Sequence, residues 1–205
     1  MTPDDIRDAA ALRGHLGEPS DLVKRKKLDR LDEHCRRFIA LSPFLVMATS
    51  DRAGGCDASP RGDAPGFVAV LDDQRLLLPD RRGNRIVDSM LNILENPQVG
   101  LVFFIPGFIE TLRVNGRASL VRNPALLEPL TAQGKRPETG ILVEVEEAFL
   151  HCGKALIRSR LWDPETQVER KTLPSLGRMI ADQVSGYDGE ETEADVQASY
   201  RERLY

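Results

Sequence analysis

The sequence predicts a mainly β protein: a small barrel of five or six short strands with flanking helices. Three observations carry that expectation. Short apolar or alternating runs through the centre are separated by turn residues. One strongly periodic helical stretch interrupts them. Both ends of the chain turn polar and charged.

Residues 20–40 read as a helix, with Ser20 or Asp21 as cap and Leu28, Leu31, Cys35, Phe38 and Ile39 at helical spacing. Lys24 to Lys27 and Arg36–Arg37 fall on its solvated face. Residues 44–49 form a short apolar strand, and 51–55 a turn. Residues 66–71 and 74–78, joined by Asp72–Asp73, predict a hairpin. A helix over 84–94 stops at Asn96–Pro97, where proline cannot continue it. The run 99–105 is almost wholly apolar, as in a strand buried on both faces. Strands over 109–120 and 141–149 alternate, with a short helix at 124–130 between them. Residues 173–184 predict a helix, and 190–205 carry only weak helical periodicity. The reading is one domain over 1–205, with helical extensions at 1–41 and 164–205.

Composition narrows the function. Hydrophobic residues are 41% and charged residues 29% of the 205, as in soluble globular proteins. The net charge of -4 argues against a nucleic-acid partner, which needs a basic footprint. Cys35, Cys56 and Cys152 are too few and too odd in number for a disulfide framework. No apolar run approaches the roughly 18 residues of a membrane span, and the acidic start does not read as a signal peptide. A cytoplasmic protein without a membrane partner is the expectation.

The most informative segments are Ser59-Pro60-Arg61-Gly62-Asp63-Ala64-Pro65-Gly66 and Leu78-Pro79-Asp80-Arg81-Arg82-Gly83-Asn84-Arg85. The second ends where a helix is expected to begin, and free N–H groups at a helix start favour an anion. Gly83 allows close backbone approach, and Asn84 can cap the helix. Arg81, Arg82 and Arg85 supply donors suited to a phosphate, and Arg61 reaches the same anion from a neighbouring strand. A surface hairpin with charged turns and an ordinary capped helix is the plain alternative. In the late chain, Trp162 beside Arg160 offers a flat ring and a guanidinium for a planar cofactor, or else a core or interface tryptophan. His151–Cys152 and His34–Cys35 lack the spacing of a metal site. No base or oxyanion hole is evident for a cysteine nucleophile.

Taken in order, Ser59-Pro60-Arg61, Leu78-Pro79-Asp80, Gly83-Asn84-Arg85, Asn96-Pro97 and Leu112-Arg113-Val114-Asn115-Gly116-Arg117-Ala118 resemble the pyridoxamine 5'-phosphate oxidase superfamily. Asp88-Ser89 and the stretch from His151-Cys152-Gly153-Lys154-Ala155 to Trp162 resemble a bacterial branch of oxidase-related FMN-binding proteins. The resemblance spans about residues 40 to 165. It implies an FMN-binding split β-barrel, Greek-key-like and six-stranded, that forms a homodimer with FMN in two clefts between subunits. It further implies that Ser59, Arg61, Gly62 and Asp63 lie on the strand beside the flavin, and Leu78, Pro79 and Asp80 along its ribityl chain or ring edge. Asn84 and Arg85 would meet the phosphate, assisted by Arg81, Arg82 and the close backbone at Gly83. Thr111 would lie near the flavin ring. Lys154, Arg158, Arg160 and Trp162 would come from the late chain, plausibly of the partner subunit.

The activity implied is an FMN-dependent oxidoreductase acting on a small molecule. A flavin sensor or storage protein is the alternative, as is binding of haem or the deazaflavin F420. His15, His34 and His151 offer no obvious haem ligand. The sequence departs from the true oxidase in two places. Gly62-Asp63-Ala64-Pro65-Gly66 replaces an apolar strand ending in lysine, and Tyr200-Arg201-Glu202-Arg203-Leu204-Tyr205 does not match the arginine–histidine segment that grips pyridoxal phosphate.

Overall fold

The computed structural model describes residues 6–83, 85–187, 193–202 and 204–205. Seven strands, β1 (Phe44–Ser50), β2 (Cys56–Gly62), β3 (Ala69–Val70), β4 (Arg75–Pro79), β5 (Gln98–Phe104), β6 (Thr111–Val121) and β7 (Gly140–His151), build one sheet. Every pairing is antiparallel, in the order β2-β1-β5-β6-β7-β4-β3. Helices precede, interrupt and follow the strands: α1 (Ala9–Leu16), α2 (Asp21–Arg25), α3 (Glu33–Leu41), α4 (Asp88–Glu95), α5 (Pro124–Leu127), α6 (Lys154–Ser159), α7 (Leu176–Gln183) and α8 (Glu193–Glu202).

The expected six-stranded split β-barrel is therefore corrected to a mixed α/β fold with one open seven-stranded sheet. Closure fails at the two edges. On one edge β2 carries Pro60, which has no N–H to donate to a further ladder. On the other, β3 has two residues, because Gly66 (φ 82°) turns the chain before it and Asp72–Asp73 turns it after. No ladder joins β2 to β3. Side chains meet instead at that corner: Arg61 of β2 pairs with Asp80, just past β4, at 3.2 Å.

Period-2 alternation places the core. Leu45 and Met47 on β1, Leu101 and Phe103 on β5, and Leu112 and Val114 on β6 are all 0% exposed and share one face. Their neighbours Val46, Ala48, Val102, Phe104, Arg113 and Asn115 are half-buried or exposed on the other. α3 covers the core face with Cys35, Phe38 and Ile39, an i, i+3, i+4 stripe. Its N-cap Asp32 accepts from Cys35 N–H at 2.8 Å. The buried Ser42 hydroxyl, at the other end, donates towards the carbonyl oxygens of Phe44 (2.8 Å) and Phe104 (2.7 Å).

Two helical expectations change. The helix over 20–40 is broken between α2 and α3, because Leu28 exchanges backbone hydrogen bonds with Ala148 and Leu31 N–H donates to Asp73 O. Tertiary backbone pairing overrides the local period there. The helix expected from 84 begins at Asp88, and Arg85 adopts a left-handed conformation (φ 64°) before it. The β3–β4 hairpin forms; its first strand is much shorter than the expected run 66–71, while β4 has the length of the run 74–78, one residue later.

The register of β6 against β7 shifts between Asn115 and Gly116. A Cβ on Gly116 would lie 2.0 Å from Glu144 O, so only glycine fits that approach. Replacing Gly116 with alanine forces two central strands apart. The expected loss is about 2 kcal/mol or more, read as a lowered urea midpoint with an unchanged slope.

Candidate functional site

β2 turns Arg61 to the same side as its partner Leu45, which is fully buried. The guanidinium therefore leaves water as it crosses to the other edge of the sheet. Its Nη1 donates to Asp80 Oδ1, and its buried Nε finds no acceptor among the described residues. A charged donor left unpaired in a buried position is costly. Asp80 is held in turn by its N–H donating to Thr139 O at 2.9 Å.

One residue on, Arg81 makes the reciprocal pair. Its Nε donates to Asp63 Oδ2 at 2.6 Å, and its Nη1 to Leu130 O at 2.7 Å. The Asp63 side chain is 4% exposed. It accepts from three donors: Arg81, its neighbour Ala64 N–H at 2.7 Å, and the Tyr205 hydroxyl at 2.6 Å. Burial pulls the Asp63 carboxyl upward. The hydrogen bonds from Tyr205, Ala64 N–H and Arg81, with the guanidinium charge, overcome that pull and hold it below the ordinary carboxylate range. The crossed pairs Arg61–Asp80 and Arg81–Asp63 thus tie the segment ending β2 to the segment ending β4. Arg81 and Asp63 open onto a shallow cleft of about 170 Å³ whose other wall includes Phe67, Leu130 and Thr131.

Beyond Arg81 the connector to α4 is exposed. Arg82, Gly83 and Arg85 face solvent, while Asn84 lies outside the described residues. The start of α4 differs from the expectation of a helix-end anion site. Asp88 occupies its first turn, Val87 gives no side-chain cap, and Ser89 donates to Asp57 at 2.7 Å. Two carboxylates, Asp57 and Asp88, thus line a second, separate cleft of about 210 Å³ there, together with Ser59. Two carboxylates at that end disfavour an anion there, which runs against the expected helix-end anion site.

The late residues stand elsewhere. Thr111 is buried at the start of β6, opposite His151 at the end of β7. Leu78 and Pro79 pair with Ile141 and Gly140 at the other end of β7. The two ends of this strand are roughly 35 Å apart along its length. Lys154 and Arg158 are exposed on α6. α6 is pressed against the β5–β6 turn at Gly153, where a Cβ would lie 2.6 Å from Ile109 O. Trp162 Nε1 donates to Phe108 O in the same turn at 2.6 Å. Arg160 (φ 51°) is clasped by Asp163, with Nε 2.9 Å from Oδ2, and by Glu165 at 2.9 Å. Its guanidinium is already engaged by carboxylates.

Arg113, on the exposed sheet face, lies 5.2 Å from the Phe149 ring centre; Lys27 and Lys26 lie at 5.1 and 5.5 Å. Burial pushes the Cys35 thiol up to about 12, which leaves it inert. Among the described residues no group of three or more His, Cys, Asp and Glu side chains is arranged around a metal position. No helix among them is long and apolar enough to cross a membrane.

The structure brings together Arg61, Asp63, Asp80 and Arg81, with Gly62, Leu78 and Pro79 in the strands that carry them. It does not bring Thr111, Lys154, Arg158, Arg160 or Trp162 to that corner within one chain. Sequence reasoning missed Tyr205 and Leu130. The only sequence signal for Tyr205 was an aromatic residue in a polar tail that also carries Tyr200.

Residues 31–152 match the family model described as Pyridoxamine 5'-phosphate oxidase. That is more than half of the chain, and the chain belongs to this family. Among solved structures it is similar to HupZ of Group A Streptococcus, with 20% identity, 58% of this chain and 92% of that chain covered, and a TM-score of 0.48. It is also similar to General Stress Protein 26 of Bacillus anthracis, with 14% identity, 57% and 93% covered, and a TM-score of 0.43. HutZ, the heme storage protein of Vibrio cholerae, gives 16% identity, 60% and 94% covered, and a TM-score of 0.40. No curated protein matches the chain.

Asp63 gives a pH test. Its folded-state pKa is depressed, so its contribution to stability is present above the unfolded value of about 3.9 and is lost as pH falls through the folded value. Carboxyl carbon NMR is expected to show Asp63 titrating below that reference. Asp63→Asn is expected to flatten the acid limb of stability against pH by this one group.

Proposed function

We propose that the chain is an FMN-binding flavoprotein, and that it acts as an oxidoreductase on a small molecule. The observation that carries this reading is the arginine corner. Arg61 carries a buried Nε without a partner among the described residues, Arg81 is fixed by Asp63 and Leu130 O, and Arg82 and Arg85 stand exposed on the adjoining connector. An orphaned guanidinium donor beside further arginines fits a phosphate-bearing ligand, whose oxygens accept several charge-assisted hydrogen bonds. Family membership supports a flavin as the bearer of that phosphate.

In this reading Arg82 and Arg85 hold the phosphate. Arg81 is pre-oriented by its carboxylate, so little side-chain entropy is lost on binding. Arg61 offers its Nε from the core side of β2, and Leu78 and Pro79 present a dry wall that excludes water. The flavin, when bound, supplies the hydride or electron transfer. The chain's own contribution is position and charge.

The reading includes a homodimer. Val46, Ala48, Gly100, Val102 and Phe104 form a half-covered, small and apolar sheet face suited to a second copy. Within one chain Lys154, Arg158 and Trp162 lie away from the arginine corner, and a second copy supplies a route by which they reach it.

The purified protein is expected to retain the visible spectrum of oxidised flavin after dialysis with FMN. A colourless protein that releases all added FMN overturns the reading, and haem or F420 bands redirect it. Arg85→Asn tolerates the left-handed backbone while removing the cation. It is expected to weaken FMN by about 2 kcal/mol, about thirtyfold, and riboflavin hardly at all. Sedimentation equilibrium is expected to give twice the chain mass, and a monomer at micromolar concentration counts against the shared cleft.

A further inference from the structure

Tyr205 lies 142 residues from Asp63 in sequence, yet two of its groups meet the arginine corner and a third is held by Lys135. Its hydroxyl donates to Asp63 Oδ1 at 2.6 Å. Its ring lies under the Arg81 guanidinium, 5.8 Å from Cζ to centroid. Its backbone carbonyl accepts from Lys135 Nζ at 2.7 Å. α8 leads into this contact and buries Val196.

The pattern of donors separates two roles for such a tail. A plug takes the N–H groups that a ligand needs. Tyr205 takes none of them: its hydroxyl uses the second oxygen of Asp63, whose first oxygen already accepts from Arg81 Nε. Arg81 Nη1 is engaged by Leu130 O, and no hydrogen bond occupies Nη2 among the described residues. One face of the guanidinium is backed by the ring, its Nε is tied to a carboxylate and its Nη1 to a carbonyl. The Nη2 N–H groups are the ones left to meet an anion. With both oxygens bonded, Asp63 is also fixed against rotation, which keeps Arg81 in one pose.

We infer that Tyr205 is a positioning residue: it clamps Asp63 and Arg81 so that the Arg81 Nη2 group receives an anionic group of the ligand, a phosphate or a carboxylate. The role rests on the reading of this corner as an anion receiver. It extends that reading to the polar tail, which has no counterpart in the arginine–histidine ending of the true oxidase. The tail contributes through Arg81 and touches no ligand itself.

The test uses the full chain with Tyr205→Phe, which keeps the ring and removes the hydroxyl. Two readouts are taken: FMN against riboflavin affinity, and the NMR line of Arg81 Nε–H. The expected result is an FMN affinity about tenfold weaker, the size of one lost hydrogen bond to a charged group, with riboflavin unchanged and the Arg81 Nε–H line broadened. Unchanged FMN affinity, or tighter binding as for a displaced plug, overturns the clamp. Equal losses for FMN and riboflavin also overturn it, because they mark general loosening. If the wild-type chain binds no FMN, the anion reading itself falls. The clamp is then judged on Arg81 alone: a sharp, exchange-protected Nε–H line in wild type must be lost in Tyr205→Phe, and an unaltered line overturns it. Asp63→Asn is the control, expected to free Arg81 even with Tyr205 intact.

Discussion

Two crossed ion pairs at one corner organise this molecule. Arg61 reaches Asp80, and Arg81 reaches Asp63, so each of the two segments gives one cation and one anion to the other. Both pairs are largely withdrawn from water, where an uncompensated charge is expensive. Neither segment is therefore content alone. The exchange fixes how far the sheet curls, since Arg61 sits near one edge and Asp80 near the other. The connector that follows Arg81 inherits its direction from that tether.

The same corner explains why the candidate site lies here and not at the start of α4. Charge repels anions from that helix end, where Asp88 and Asp57 gather. Residues 81–85 instead carry three arginines and no carboxylate. Arg85, in the left-handed region, lies in the exposed loop before α4. A chain with net charge -4 thus presents a local cationic edge.

Much of this was legible in the sequence, for physical reasons. Strands with strict alternation, such as residues 112–114 and 141–145, were visible because one face of each is buried. The α4 termination was visible because Pro97 cannot donate an N–H. The Arg61 and Arg81 segments were visible as charges placed beside turns. What stayed hidden depends on partners distant in sequence. The break in residues 20–40 is made by Leu28 pairing with Ala148, and no local pattern announces that bond. Openness of the sheet was hidden too, because alternation reports which face is buried and says nothing about whether the last strand meets the first. Tyr205 looked like the end of a polar tail, since its role is conferred wholly by Asp63, 142 positions earlier.

An unclosed sheet leaves two rows of backbone donors and acceptors available to any passing chain, the template on which fibrils grow. Here each margin is blunted by a different device. β3 is two residues long, too short to seed a ladder. β2 is longer, but Pro60 interrupts its row of donors, and Asp57 and Arg61 turn charge towards the interior side, where an incoming strand would have to bury it. Arg61, which shapes the arginine corner, therefore also helps to keep a neighbouring strand from zipping onto this margin of the sheet.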